Sequence, residues 1–167
     1  MIICHRINTI EKLKSVPEKY GVEIDVRHDN RTARLYLNHD PGTGDDFEEY
    51  LKQFKHAFMI FNIKEAGTEK QCIELSKKYG VAKEKYFLLD VEFPFIYRAT
   101  REGIREIAIR YSEDEVIEQA LKYKNRADWV WIDTNTMLPL DANVVEKLKG
   151  FKTCLVCPER WGRPQDI

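Results

Sequence analysis

Short apolar runs and amphipathic stretches alternate along the whole chain. The dense apolar runs fall at residues 2–5, 22–27, 58–63, 86–91, 106–110, 129–133 and 153–157. Most are continuous rather than alternating, the pattern of strands covered on both faces. Between them the apolar positions change to helical spacing. In DDFEEYLKQFK, Phe47, Tyr50, Leu51 and Phe54 form one stripe; in TEKQCIELSKKYG, Cys72, Leu75 and Tyr79 do the same, and Gly80 supplies a C-cap. SEDEVIEQALKYK opens on Ser112 and Glu115, spaced as a capping box. Asp141 caps ANVVEKLKG, and NTIEKLKSVPEKYG is a weaker helix interrupted by Pro17.

Repeated strand–helix–strand units predict an α/β domain with a parallel sheet. One unit departs from the rule. After VEIDVRH come the turn residues Asp29 and Asn30 and then ARLYLNHD, which reads as a hairpin rather than a crossover. An open doubly wound sheet usually carries a Gly-rich turn after its first strand. Here that strand runs into Cys4-His5-Arg6 without a glycine. Polar residues collect instead at the C-terminal ends of several strands: His5 and Arg6, Glu23 and Asp25, Asn62 and Lys64, Asp90 and Glu92, Asp133, and Glu159. A β/α barrel gathers its catalytic groups at that rim. The expected architecture is a TIM-like (β/α) barrel, one domain over residues 1–167, with about seven parallel strands where a full barrel has eight. The eighth is absent, cut away, or hidden near FIYRAT. An open position leaves two sheet edges and favours a homodimer or a covering segment.

Composition narrows the classes. The 167 residues suffice for one domain with a sizeable core. Net charge is -1 with both signs interspersed, so no basic stripe points to nucleic acid. The apolar start Met1-Ile2-Ile3-Cys4 is too short for a signal segment, and no run approaches a membrane span. Cys154 and Cys157 form a CxxC, but KTCLVCPE reads as a strand with the two thiols facing opposite ways, and no second metal pair follows. Packed thiols and a reducing, cytoplasmic setting fit best.

The chemistry begins in GVEIDVR. A strand's period of two puts Glu23, Asp25 and Arg27 on one face and Val22, Ile24 and Val26 on the other. Two carboxylates aimed together into a barrel mouth must pair, protonate or bind a metal. Hard oxygen ligands select Mg2+ or Ca2+. Histidines at positions 5 and 39 beside such a site suit acid and base roles near neutral pH. Simpler readings stand beside this one: a solvated edge face for Glu23 and Asp25, an Asp-Pro-Gly turn at Asp40, and a surface Lys64.

HRINT, EID, HDP and NIK, in that order on successive strands, resemble the glycerophosphodiester phosphodiesterase family, and LVCPERWGR resembles a segment of some members. The resemblance implies that His5 and His39 are the acid/base pair. It implies that Arg6 and Lys64 bind the phosphate, and that Glu23 and Asp25 hold a divalent cation, Mg2+ or Ca2+. The substrate class implied is a small glycerol- or sugar-linked phosphodiester. Two departures stand out. Asn62 occupies the place of the family's third-strand Glu, a metal ligand, and the Pro-Glu that normally precedes Asn-Thr is missing before Asn8-Thr9. Asp90 or Glu92 offers a replacement carboxylate. The alternatives are a substrate-shifted or inactive relative that binds a phosphorylated ligand, and a different barrel chemistry with Lys64 as a Schiff-base amine.

Overall fold

The computed structural model describes residues 1–166. Its contacts divide the chain into two compact units, Met1–Glu92 and Phe93 onward.

The first unit is built on β2 (Gly21–Asp29), whose residues 21–26 are buried on both faces. β5 (Phe58–Ile63) pairs with it in parallel, and β6 (Tyr86–Leu89) pairs in parallel with β5. Both strands are buried throughout, in keeping with apolar runs broken only by Asn62. The other edge of β2 is shared. Its first residues pair in parallel with β1 (Ile3–Cys4), and residues 26–29 pair antiparallel with β3 (Arg34–Leu37). The expected hairpin is therefore present. The Asp29 carboxylate closes its turn, accepting from the Arg31 N–H at 2.9 Å and the Thr32 hydroxyl at 2.9 Å. The short β4 (Asp45–Asp46) follows on β3.

The crossover helices of this unit follow the apolar stripes. α1 (Ile10–Ser15) is capped by Thr9, whose hydroxyl accepts from the Lys12 N–H, and it ends before Pro17. α2 (Phe47–Gln53) is capped by Asp46 and buries Phe47, Tyr50 and Leu51. Phe47 meets Phe61 of β5 edge-on, with ring centroids 5.6 Å apart. α3 (Glu69–Lys78) ends at Gly80, which takes the left-handed conformation (φ 75°) expected of a C-cap.

Gly21, at the start of β2, allows the close approach of β1 and β5. A Cβ there would come 2.3 Å from Ile3 Cδ1 and 3.1 Å from Phe58 Cβ. Gly21→Ala is therefore expected to lower the unfolding free energy by about 1–3 kcal/mol. Urea denaturation measures it, and an unchanged midpoint would show that β1 can shift freely.

The second unit is a parallel sheet of β7 (Ala108–Tyr111), β8 (Trp129–Ile132) and β9 (Lys152–Leu155). α5 (Ile117–Leu121) and α6 (Ala142–Leu148) lie in the crossovers, and Asp141 caps α6 as its sequence implies, accepting from the Val144 N–H at 2.7 Å. Asp133, just past β8, is buried and accepts from Trp131 Nε1 at 2.9 Å and Arg110 Nη1 at 2.8 Å.

Among the described residues seven strands thus lie in parallel pairs, as the periodicity implies. They belong to two sheets, β4-β3-β2-β5-β6 with β1, and β7-β8-β9. A single closed ring of hydrogen-bonded strands is not formed among the described residues. Three local expectations are corrected. FIYRAT falls largely in a helix, α4 (Phe93–Ala99), although Phe93, Phe95 and Tyr97 alternate as in a strand; one helical turn brings the Phe93 and Tyr97 rings to 6.3 Å. The Ser112–Glu115 capping box is not made. α5 begins only at Ile117, and Ser112 closes a turn instead, with its backbone carbonyl accepting from the Glu115 N–H. Cys157 lies beyond β9 and is exposed rather than packed, because Pro158 ends the extended run and opens a 3-10 turn. No helix among the described residues is long and apolar enough to cross a membrane.

Candidate active site

The shared edge of β2 sets up the site. β1 stops level with Val22 and β3 begins to pair at Val26, so the edge between them, at Glu23 and Asp25, has no strand partner. Loop groups fill the gap. The Ile7 N–H donates to the Glu23 carbonyl at 2.9 Å, and the Asn38 N–H donates to the Asp25 carbonyl at 3.1 Å. The Asn8 side chain acts as a surrogate strand: its Oδ1 accepts from the Asp25 N–H at 2.8 Å and its Nδ2 donates to Asp25 Oδ2 at 2.7 Å. His5 follows directly on β1, and His39 follows two residues after β3. The two histidines therefore leave the strands that flank the gap.

Glu23 and Asp25 are each only 1% exposed, which removes the solvated-edge reading. Glu23 receives the Arg6 backbone N–H on Oε2 at 2.7 Å and the Asn62 amide on Oε1 at 2.9 Å, and His5 Nε2 stands 3.5 Å from Oε2. Arg6 reaches this position through a left-handed backbone (φ 55°), an uncommon conformation for a residue with a side chain. Burial, and then the neighbouring charge of Asp25, push the Glu23 carboxyl up from its ordinary range. The Arg6 N–H, the Asn62 amide and Lys64 pull the other way without cancelling the rise.

Asp25 has the opposite balance. Burial opposes its charge, but the Asn8 amide and the Lys64 ammonium outweigh burial and hold the carboxyl below its ordinary range. Lys64 Nζ stands 3.0 Å from Asp25 Oδ1, close enough for an ion pair though off the direction of a hydrogen bond. The charge of His39 also reaches Asp25.

Asn62 is the register partner of Asp25 across the β2–β5 ladder and shares its face. Its Nδ2 donates to Glu23, which fixes the orientation of the amide, because the opposite orientation would set two oxygens together. Its Oδ1 is buried and has no hydrogen-bond donor. Among the described residues no three His, Cys, Asp or Glu side chains stand together as metal ligands. The third oxygen beside the two carboxylates is this amide. Asp90 and Glu92 lie past the end of β6 and are both exposed, so neither takes the place of a third buried carboxylate.

The remaining expected residues are placed as follows. Arg6 carries a buried Nε without an acceptor. His39 lies in a bend, with Nδ1 2.9 Å from Asp40 Oδ1, so it is both a turn residue and a flank of the acid pair. Asn8, Arg27, Tyr50 and Glu65 also take part in the site, without a role in the sequence pattern. Asn8 and Arg27 were visible, one in the HRINT motif and the other on the Glu23 face. Tyr50 carried only its helical spacing, yet its hydroxyl donates to the Ile7 carbonyl at 2.8 Å and so supports the loop that carries Asn8. Burial, followed by the charges of Glu23 and Asp45, pushes its phenol upward, which keeps that donor protonated.

No sequence-family pattern matches the chain, and no curated protein matches it. Solved structures do. One, from Agrobacterium tumefaciens strain C58 and assigned as a glycerophosphoryl diester phosphodiesterase, superposes with a TM-score of 0.68 at 12% identity, covering 92% of this chain and 83% of its own. A second, a glycerophosphodiester phosphodiesterase of the same bacterium, gives 0.65 at 15% identity, covering 92% and 85%. At these identities the likeness is one of fold: this chain is folded like glycerophosphodiester phosphodiesterases.

Proposed function

We propose that the cluster around the gap in β2 is the active site of a phosphodiester hydrolase acting on a small glycerol- or sugar-linked diester with the help of a divalent cation. The observation that carries the reading is the pair of buried carboxylates beside an amide oxygen, Asn62 Oδ1, that has no donor. Glu23, Asp25 and Asn62 would hold Mg2+ or Ca2+, whose preferred donors are oxygens. The ion would supply charge neutralisation and polarisation of a phosphate oxygen.

The chain's own groups cover the other requirements. Arg6 Nε, buried and without an acceptor, and the Lys64 ammonium offer cationic donors to the non-bridging oxygens of the diester. His39 has its Nδ1 engaged by Asp40, which orients the ring and leaves Nε2 to take or give a proton. His5 lies beside Glu23, whose charge would stabilise a protonated imidazole. One histidine would remove a proton from the attacking hydroxyl, and the other would return one to the departing alcohol. The fold likeness to phosphodiesterases supports this reading.

The test follows the release of alcohol and phosphomonoester from glycerophosphodiesters in the presence of Ca2+ or Mg2+, for the wild type, His5→Ala and His39→Ala. Turnover is expected for the wild type and is lost in both variants and on chelation. A wild type that binds the diester without turnover would assign the site to ligand binding instead. Turnover that survives chelation would remove the cation.

A further inference from the structure

We propose that Arg27 is a positioning residue for His39, clamping the bend that carries this imidazole to the end of β5 that carries Lys64; the role rests on the phosphodiesterase reading above. Arg27 shares the face of Glu23 and Asp25, yet its guanidinium turns to other partners. Nε and Nη2 both donate to the backbone carbonyl of His39, at 3.1 and 2.8 Å. Nη1 donates to Glu65 Oε1 at 2.9 Å. The other oxygen of Glu65 accepts from the His28 backbone N–H at 3.0 Å, so the carboxylate is itself held against β2. The Arg27 side chain is 13% exposed.

The geometry suits a strut rather than a ligand-binding arm. Each of the three guanidinium nitrogens makes a hydrogen bond within the protein, and the planar fork fixes the direction of each bond. His39 needs such support. It lies beyond the last ladder pair of β3, and its ring partner Asp40 is 83% exposed, which makes that contact a weak anchor on its own. Glu65 is the residue after Lys64. Through it the clamp ties the proton-transferring group and the phosphate-facing cation to one rigid element. A histidine that must reach a hydroxyl within hydrogen-bond distance loses efficiency when its backbone drifts by a fraction of an ångström.

The experiment combines kinetics with NMR of 15N-labelled histidine, the His39 signals being assigned by their loss in His39→Asn. In Arg27→Met the His39 ring signals are expected to broaden or split. kcat for the diester should fall about tenfold, with KM within about twofold. Added methylguanidinium is expected to sharpen the signals and recover part of kcat, and Arg27→Lys to fall between wild type and Arg27→Met. Unchanged His39 signals and pH titration in Arg27→Met would overturn the proposal. A raised KM with kcat retained would also overturn it, by assigning Arg27 to substrate contact. If Arg27→Met does not fold, Glu65→Gln, which removes only the charged anchor, is read in the same way: smaller changes of the same direction support the clamp and no change refutes it. A wild type without turnover would defeat the hydrolase reading, while the NMR arm would still decide whether Arg27 holds His39.

Discussion

Glu23→Gln is expected to make the protein melt at a higher temperature at neutral pH and, at the same time, to reduce diester hydrolysis at least about 100-fold, beyond the 10–100-fold typical of losing an outer-shell partner. The stability gain follows from the raised carboxyl. A carboxyl whose folded pKa lies above its unfolded value stabilises the fold fully only below the unfolded value. That contribution is lost as pH rises through the folded value. At neutral pH, above the unfolded value, the raised Glu23 carboxyl therefore weighs against folding. Gln removes it and keeps the shape. Its oxygen can accept the Arg6 N–H, and its amide can donate to Asn62 once the Asn62 amide turns over, because in the wild type Asn62 presents Nδ2 to that position. For a chain of this size each 1 kcal/mol corresponds to about 2–4 °C. The measurement is calorimetry in chelator from pH 5 to 8. The wild type should gain stability as pH falls toward the raised range, whereas the variant should lack that slope. Adding Ca2+ or Mg2+ should raise the wild-type melting temperature and leave the variant nearly unmoved. A variant less stable than wild type at neutral pH would mean that the carboxylate is compensated by its N–H donors after all.

Lys64→Met should have the largest effect on stability. The ammonium is 3.0 Å from a carboxylate that is 1% exposed, and its own side chain is 18% exposed. Removing one partner of a buried pair leaves an uncompensated charge and costs about 3–5 kcal/mol. The sign against pH is opposite to that of Glu23. Asp25 has a lowered folded pKa, so its contribution is present above the unfolded value and disappears as pH falls through the folded value. Lys64→Met should therefore be most destabilising near neutral pH, with the gap to wild type closing on acidification. Chemical denaturation at two pH values resolves this. A pH-independent loss would point to the packing of the lysine stem rather than to its charge. Because Asn8 also donates to Asp25 Oδ2, the variant should retain a folded site rather than collapse.

Asn62 links the two expectations. A carboxylate at this register position would add a third negative charge beside Glu23 and Asp25. The amide instead donates to Glu23 and keeps a buried oxygen that no donor reaches. With both acids ionised, the resident side chains carry two negative charges and the Lys64 positive charge. On the proposed reading, such a site would demand less of a cation for stability and would hold it more weakly than a site with three carboxylates.

The parallel α/β character, the β2–β3 hairpin and the shared face of Glu23 and Asp25 were all legible in the amino-acid order. Each is set by short-range periodicity or turn chemistry: unbroken apolar runs, Asp29 at a turn, and the two-residue alternation of a strand. The caps at Gly80 and Asp141 were legible for the same reason, since a helix end is satisfied within a few residues. The Ser112–Glu115 box misled because the spacing of a cap does not decide where the helix begins; apolar Ile117 starts it later.

Tertiary structure alone decided the rest. Nothing in the local pattern says that β1 and β3 share one edge of β2 and stop on either side of the acid pair. Burial of Glu23 and Asp25 on a face that alternation could equally leave in water depends on β5, which is distant in sequence. The opposite pKa directions of two carboxylates two residues apart come from different surroundings: the Asn8 amide and the Lys64 ammonium outweigh burial at Asp25, whereas burial and the charge of Asp25 prevail at Glu23. The sequence by itself determined which residues carry charge and which face of a strand they take, because those depend on neighbours along the chain. Which charges are buried, paired or left to meet a ligand was decided only when strands far apart in the chain came together, since desolvation and Coulomb energy depend on distance in space.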